Sequence, residues 1–105
     1  MSRLYVAGPM SGLPEFNYPA FNRAAEVLAA AGFDVENPAD NKVESDDYHD
    51  YLRAGLAQLL RCDGVATLPD WWLSGGARWE VQTAGILGVP VRPVGEWLQM
   101  VKAYR

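Results

Sequence analysis

The 105-residue chain contains one cysteine and one histidine, and these two scarcities close off more chemistry than any motif opens. A single thiol, Cys62, cannot form an intrachain disulfide or supply a four-thiolate metal site. With His49 as the sole imidazole, a zinc centre would need mostly carboxylates, against the ligand preference of that ion. No metal and no organic cofactor is expected. Basic residues are scarce too: nine lysines and arginines against thirteen aspartates and glutamates leave a net charge of −4. Proteins that track a phosphate backbone usually present a basic surface, so a nucleic-acid polymer is not an expected partner. One phosphate on a small ligand needs only a local cluster of donors and stays open. No apolar run nears the ~20 residues of a membrane span, and MSRLYVAGPM turns polar and glycine-rich too soon for a signal peptide. The expectation is a soluble cytoplasmic protein with no membrane partner.

Neither the G-x-G-x-x-G fingerprint nor a P-loop is present, and no internal repeat or linker divides the chain. What is present is a regular alternation. Leu4 to Ala7 reads as a buried strand closed by Gly8 and Pro9, and a helix is predicted from Pro19 to Ala31, ended by Gly32. A second strand spans Phe33 to Glu36, and the acidic 40–47 segment reads as a solvated connector. A second helix runs from Asp47 through Tyr51, Leu52, Leu56 and Leu59 to near Cys62, followed by a strand from Gly64 to Leu68. Ala77 to Leu87 is a third helix, Val89 to Arg92 a fourth strand and Val94 to Ala103 a last helix. This β-α-β-α-β-α-β-α order predicts one domain, residues 1–105, with a mostly parallel sheet of four strands, or five, between two helical layers.

In such sheets ligands bind beyond the carboxyl ends of the strands. The loops that fall there carry the unusual residues: GPMSG (Gly8, Pro9, Met10, Ser11, Gly12), NPA beginning at Asn37, and DWWLSGG. The first loop reads either as a set of backbone donors for a phosphate or sugar oxygen, or as a tight strand-to-helix connection. Ser74, Gly75 and Gly76 open the third helix, so its free N–H groups and positive dipole end face the same crevice. Glu80 lies one to two turns further on. The apolar stripe of that helix is predicted through Trp79, Ala84 and Leu87, and Glu80 neighbours the last two at spacings of four and seven. A carboxylate turned partly inward needs a partner or a ligand; the partner would be Arg78 or Arg53. As an enzyme group, a crevice carboxylate is suited to attack on a sugar anomeric carbon, with a second acid to protonate the leaving group. Asp47 and Asp50 start the second helix on the crevice side, whereas Asp63 reads as structural. Trp71 and Trp72 suit either base stacking or, the favoured reading, a contact between subunits.

Three segments in order, YVAGPMSGLPEFNYPAFNRAAEVLAAAGFDVENPA, YLRAGLAQLLRCDGVATLPDW and SGGARWEVQTAGILGVPV, resemble the nucleoside 2-deoxyribosyltransferase-like group. They are most similar to its short bacterial and phage branch, DUF4406, over about residues 4–93. The resemblance implies a flavodoxin-like, Rossmannoid three-layer domain that binds a nucleoside or nucleoside monophosphate. It implies hydrolysis of the N-glycosidic bond or transfer of the sugar, with Glu80 attacking C1′ and Tyr5 holding it in position. Ser74 matches a position that in some relatives holds a serine against a 5′-phosphate, and Gly8–Gly12 matches their sugar and phosphate loop. Asn37, Gly75 and Gly76 complete the expected substrate-binding set. Relatives complete their sites across a subunit interface, so a homodimer or higher homo-oligomer is expected.

One departure stands out. The family pattern R-x-D-L-x-x-L-L-x-C-D reads RAGLAQLLRCD here, so Gly55 replaces an aspartate that orients the sugar or handles a proton in relatives. Asp47 and Tyr51 share the helical stripe of Gly55 at spacings of eight and four, which makes Asp47 the candidate substitute acid. The alternatives are a catalytically silent nucleotide-binding module and a structural accessory protein.

Overall fold

The computed structural model describes residues 2–41, 43 and 47–103. Lys42, Glu44, Ser45 and Asp46 of the expected 40–47 connector lie outside the described residues. The main elements are β1 (Arg3–Ala7), α1 (Tyr18–Ala30), β2 (Asp34–Glu36), α2 (Tyr48–Leu59), β3 (Gly64–Thr67), α3 (Gly75–Ile86), β4 (Val91–Pro93) and α4 (Val94–Ala103). The alternation seen in the sequence is therefore the alternation of the fold. Short 3-10 turns at Pro14–Asn17, Pro38–Asp40 and Trp71–Leu73 were not visible in the sequence pattern, because one turn is too short to show a period.

The four strands pair in the order β2-β1-β3-β4, and all three pairings are parallel. Period-two alternation along the central strands sends successive side chains to opposite layers. Leu4, Val6, Ala66 and Leu68 face α1 and α4, where Phe21, Leu28 and Trp97 complete one core. Tyr5, Ala7 and Val65 face the other way, against Leu59 and Cys62 beside α2 and Ala84 of α3. Trp97 also donates its indole N–H to the Val65 carbonyl at 2.9 Å, so the polar edge of this large ring is satisfied in the core. The result is a three-layer α/β domain.

The topology places the site. From β1 the chain moves outward to β2, then returns to set β3 on the other side of β1. The crossovers diverge between β1 and β3, which opens a crevice at their carboxyl ends. Gly8 sits at that point, and the reason for a glycine there is packing. An added Cβ would lie 2.7 Å from the Leu68 side chain. Positive φ is used by Gly12, at 80°, and not by Gly8. No helix among the described residues is long and apolar enough to cross a membrane.

Candidate active site

Helix α3 is oriented by small residues. Its buried positions are Ala77, Glu80 and Ala84, at spacings of three and seven that keep one narrow face on the neighbouring layer. The expected stripe through Trp79 and Leu87 is corrected by this arrangement. Trp79 is 51% exposed, Leu87 52% and Ile86 78%. Large apolar side chains suggested the wrong face, because the buried face of α3 carries two alanines and one carboxylate instead.

Glu80 is more deeply placed than its spacing suggested, with only 8% of its surface exposed. Neither expected arginine is its partner: Arg53 pairs with Asp50 at 2.6 Å, and Arg78 donates to the Trp72 carbonyl at 3.4 Å. The partner is Tyr5, 1% exposed, whose hydroxyl donates to Glu80 Oε2. Burial pushes the Glu80 carboxyl up from 4.5 to about 7, with the Tyr5 hydrogen bond pulling the other way. Burial, followed by the Glu80 charge, holds the Tyr5 phenol well above its usual value, so Tyr5 stays a donor at neutral pH.

Both side chains line a cavity of about 340 Å³, within the size range of small-molecule sites. Its floor is Tyr5, Glu80 and Gly55, and the helix start contributes Ser74, Gly76 and Ala77. The first loop contributes Gly8, Met10 and Ser11. Five aromatic side chains, Phe16, Tyr18, Phe21, Tyr48 and Tyr51, form much of the wall. An adjoining cavity shares Ser11, Tyr48 and Ser74 and adds Pro9, Asp70 and Gly75. Phe16 is presented by an unusual loop, since Glu15, Phe16 and Asn17 all have positive φ, at 53°, 52° and 60°. Three consecutive non-glycine residues in that region cost of order 1 kcal/mol each. The Asn17 side chain ties the loop to the Pro9 carbonyl at 2.9 Å.

Of the residues singled out in the sequence, Tyr5, Gly8, Met10, Ser11, Ser74, Gly76 and Glu80 meet in the main cavity. Pro9 and Gly75 line the adjoining one. Gly12, Asn37 and Asp47 line neither. Asn37 is buried, accepting from Ala39 N–H and donating to Asn22 Oδ1, both at 3.0 Å. Asp47 caps α2, accepting from His49 N–H at 2.9 Å. That backbone hydrogen bond holds its carboxyl below the usual range, so it is ionised at neutral pH and unsuited to donate a proton there. Trp71 and Trp72 also line neither cavity; the aromatic wall is built by tyrosines and phenylalanines instead. Asp63, read as structural, accepts from the Arg3 backbone N–H at 2.9 Å. Cys62 is buried, with its thiol 3.2 Å from the Gln58 carbonyl.

Gly55 packs directly against the Tyr5–Glu80 pair. A Cβ on it would lie 2.7 Å from Glu80 Oε2 and 2.8 Å from the Tyr5 hydroxyl oxygen. The missing side chain is thus a condition of the present arrangement, which the residue pattern alone did not reveal.

A solved structure of similar form is that of the 2-deoxyribosyltransferase from the psychrotolerant bacterium Bacillus psychrosaccharolyticus. It shares 25% identity with a TM-score of 0.69, over 86% of this chain and 69% of that one. A three-layer Rossmann-like α/β domain is therefore the class to which the fold conforms. The profile of the family described as a domain of unknown function, DUF4406, matches residues 2–92, and the chain belongs to that family. Comparison by sequence with curated proteins finds no match.

The raised carboxyl carries a stability consequence. Between pH 4.5 and about 7 folded Glu80 retains a proton that the unfolded chain has released. Stability contributed by the protonated form is complete below 4.5 and declines as pH rises through about 7. The upward shift corresponds to about 3 kcal/mol at pH 8. Glu80→Gln keeps an acceptor for Tyr5 without the buried charge, so its melting temperature at pH 8 should exceed that of the wild type. At pH 5 the two should melt together. Thermal unfolding followed by circular dichroism at both pH values checks this; a lower melting temperature for the variant at pH 8 would contradict it.

Proposed function

We propose that the protein cleaves the N-glycosidic bond of a nucleoside or 5′-mononucleotide, passing the sugar to water or to a second base. The observation that carries this reading is Glu80: a buried carboxyl held by the Tyr5 hydroxyl on the floor of an aromatic-walled cavity. The likeness in fold to a 2-deoxyribosyltransferase supports nucleoside glycosyl transfer as the class of reaction.

In this reading one carboxylate oxygen of Glu80 attacks C1′ and the C1′–N bond breaks, leaving the base with the bonding electron pair and the sugar as an ester on Glu80. The departing base takes a proton from solvent; water or a second base then attacks C1′ and gives up its own proton to solvent, and Glu80 departs as carboxylate. Tyr5 is a positioning residue, fixing Oε2. Glu80 must be ionised to attack, so kcat/KM is expected to rise with pH through about 7. Tyr5→Phe removes the interaction that lowers this value, and should move the rise to higher pH. A pH–rate profile with no rise between 6 and 8, at pH values bracketing about 7, would count against the assignment.

Glu80 is the only carboxylate among the described residues lining the main cavity. Asp47, ionised and outside it, is proposed to accept a proton from beside Tyr48. For a phosphate, the donors on offer are the first-turn amides of α3 and the Ser74 hydroxyl, since no basic described residue lines either cavity. Homo-oligomerisation belongs to the same proposal and is supported by the exposed Trp72, Leu73, Trp79 and Ile86.

The second reading, a nucleotide-binding module without turnover, draws on Gly55 in place of the family aspartate. Incubation with nucleosides and nucleoside monophosphates, with free base followed by chromatography, separates the two. Base release establishes the enzyme. Thermal stabilisation by the same ligands without release establishes the binding module; saturation at 100 times Kd adds about 2.7 kcal/mol.

A further inference from the structure

An amide network behind the cavity fixes the direction of hydrogen bonding at its wall. Gln58 is 7% exposed and lies one turn beyond Gly55 on α2. Its Nε2 donates to the Asn37 backbone carbonyl at 3.3 Å. A carbonyl only accepts, so the nitrogen end of the Gln58 amide must face Asn37 and the oxygen end must face the other way. That oxygen receives the Asn41 Nδ2 at 2.8 Å. The orientation of Asn41 follows in turn: its nitrogen is committed to Gln58. Among the described residues its Oδ1 has no hydrogen-bond partner. Asn41 lines the main cavity with Glu80.

The far end of the network is equally fixed. The Asn37 carbonyl also receives Asp40 N–H at 3.0 Å, and its side chain is held by Asn22 and Ala39. Three amides therefore lock a fourth, the one at the cavity wall. Half-buried acceptors of this kind discriminate by what they lose: a ligand lacking the matching donor leaves the oxygen desolvated and unpaired.

We infer that Asn41 is a specificity-determining residue whose Oδ1 accepts a hydrogen bond from an O–H or N–H donor of the bound nucleoside, with Gln58 as its positioning residue. The inference rests on the nucleoside reading above. A sugar hydroxyl and an exocyclic amino group of the base supply the same chemistry, and matched ligands tell them apart.

Binding is measured by calorimetry for two matched sets: adenosine against purine riboside, which lacks the amino group, and adenosine against its 2′-deoxy and 3′-deoxy forms. Measurements on Glu80→Gln prevent turnover. In that background one missing donor should weaken binding about 10-fold or more. Asn41→Leu should reduce that discrimination to within about twofold, because binding of the donor-lacking ligand is then nearly unchanged. Gln58→Met, which keeps the side-chain length, should erode the same discrimination and no other. Discrimination fully retained in a folded Asn41→Leu or Gln58→Met protein overturns the inference while leaving the nucleoside reading intact. Failure of every nucleoside to bind the parent protein overturns both.

Discussion

Glu80→Ala is expected to reduce base release by at least about 10³-fold, since loss of a nucleophile removes the covalent route altogether. The fold should survive the change. Glu80 is buried at an uncharged interface of small residues, Ala77 and Ala84, and its own burial pushes its carboxyl up to about 7. Removing such a group relieves desolvation, while Tyr5 loses an acceptor at a cost of roughly 1–3 kcal/mol. Chromatography of released base, beside a thermal melt of the same sample, checks both statements. Release unchanged in a folded Glu80→Ala protein would show that another group attacks the sugar.

The second large effect is expected at Gly55. In an ordinary helix interior, Gly→Ala gains about 1 kcal/mol. Here the new Cβ would meet Glu80 Oε2 at 2.7 Å and the Tyr5 hydroxyl at 2.8 Å. Both are held in the core, so the carboxylate must move, and overpacking of this kind costs about 1–3 kcal/mol. Stability should therefore change little, or fall. Activity should fall about 100-fold, the loss that a 1 Å misplacement of a reacting group brings. Gly55→Asp, which installs the residue of the family pattern, should do worse. It adds the same clash and a second carboxyl beside Glu80, and like charges at that distance oppose ionisation of both. Rates and melting curves of the two variants check this. Faster turnover in Gly55→Asp would show that the glycine is a lost catalytic position and not a packing requirement.

The order of strands and helices was legible because each element is long enough to show its period. The same reasoning found Glu80 on an inward face from its spacing to Ala84, but it chose Trp79 and Leu87 as companions. Hydrophobicity marks a buried face only where the neighbouring layer has room for bulk, and α3 packs through alanines. Tyr5 was reached by resemblance, and its contact with Glu80 depends on two elements 75 residues apart, which no local pattern encodes. Asn41 was missed entirely. It sits in a polar connector that reads as solvated, and the role proposed for it depends on Gln58, a polar residue on the buried side of α2. The left-handed run at Glu15–Asn17 was equally hidden, since no glycine announces it. Asp47 was read correctly as a helix start, and capping is what its carboxylate does there.

The most direct test of the account is to find the sugar on the protein. Brief incubation of the wild type with a nucleoside that it cleaves, acid quenching and peptide mass spectrometry should place one glycosyl unit on the peptide containing Glu80. That mass should be absent from Glu80→Gln. Base release with the glycosyl unit on a different residue would contradict the assignment of Glu80 as the attacking group.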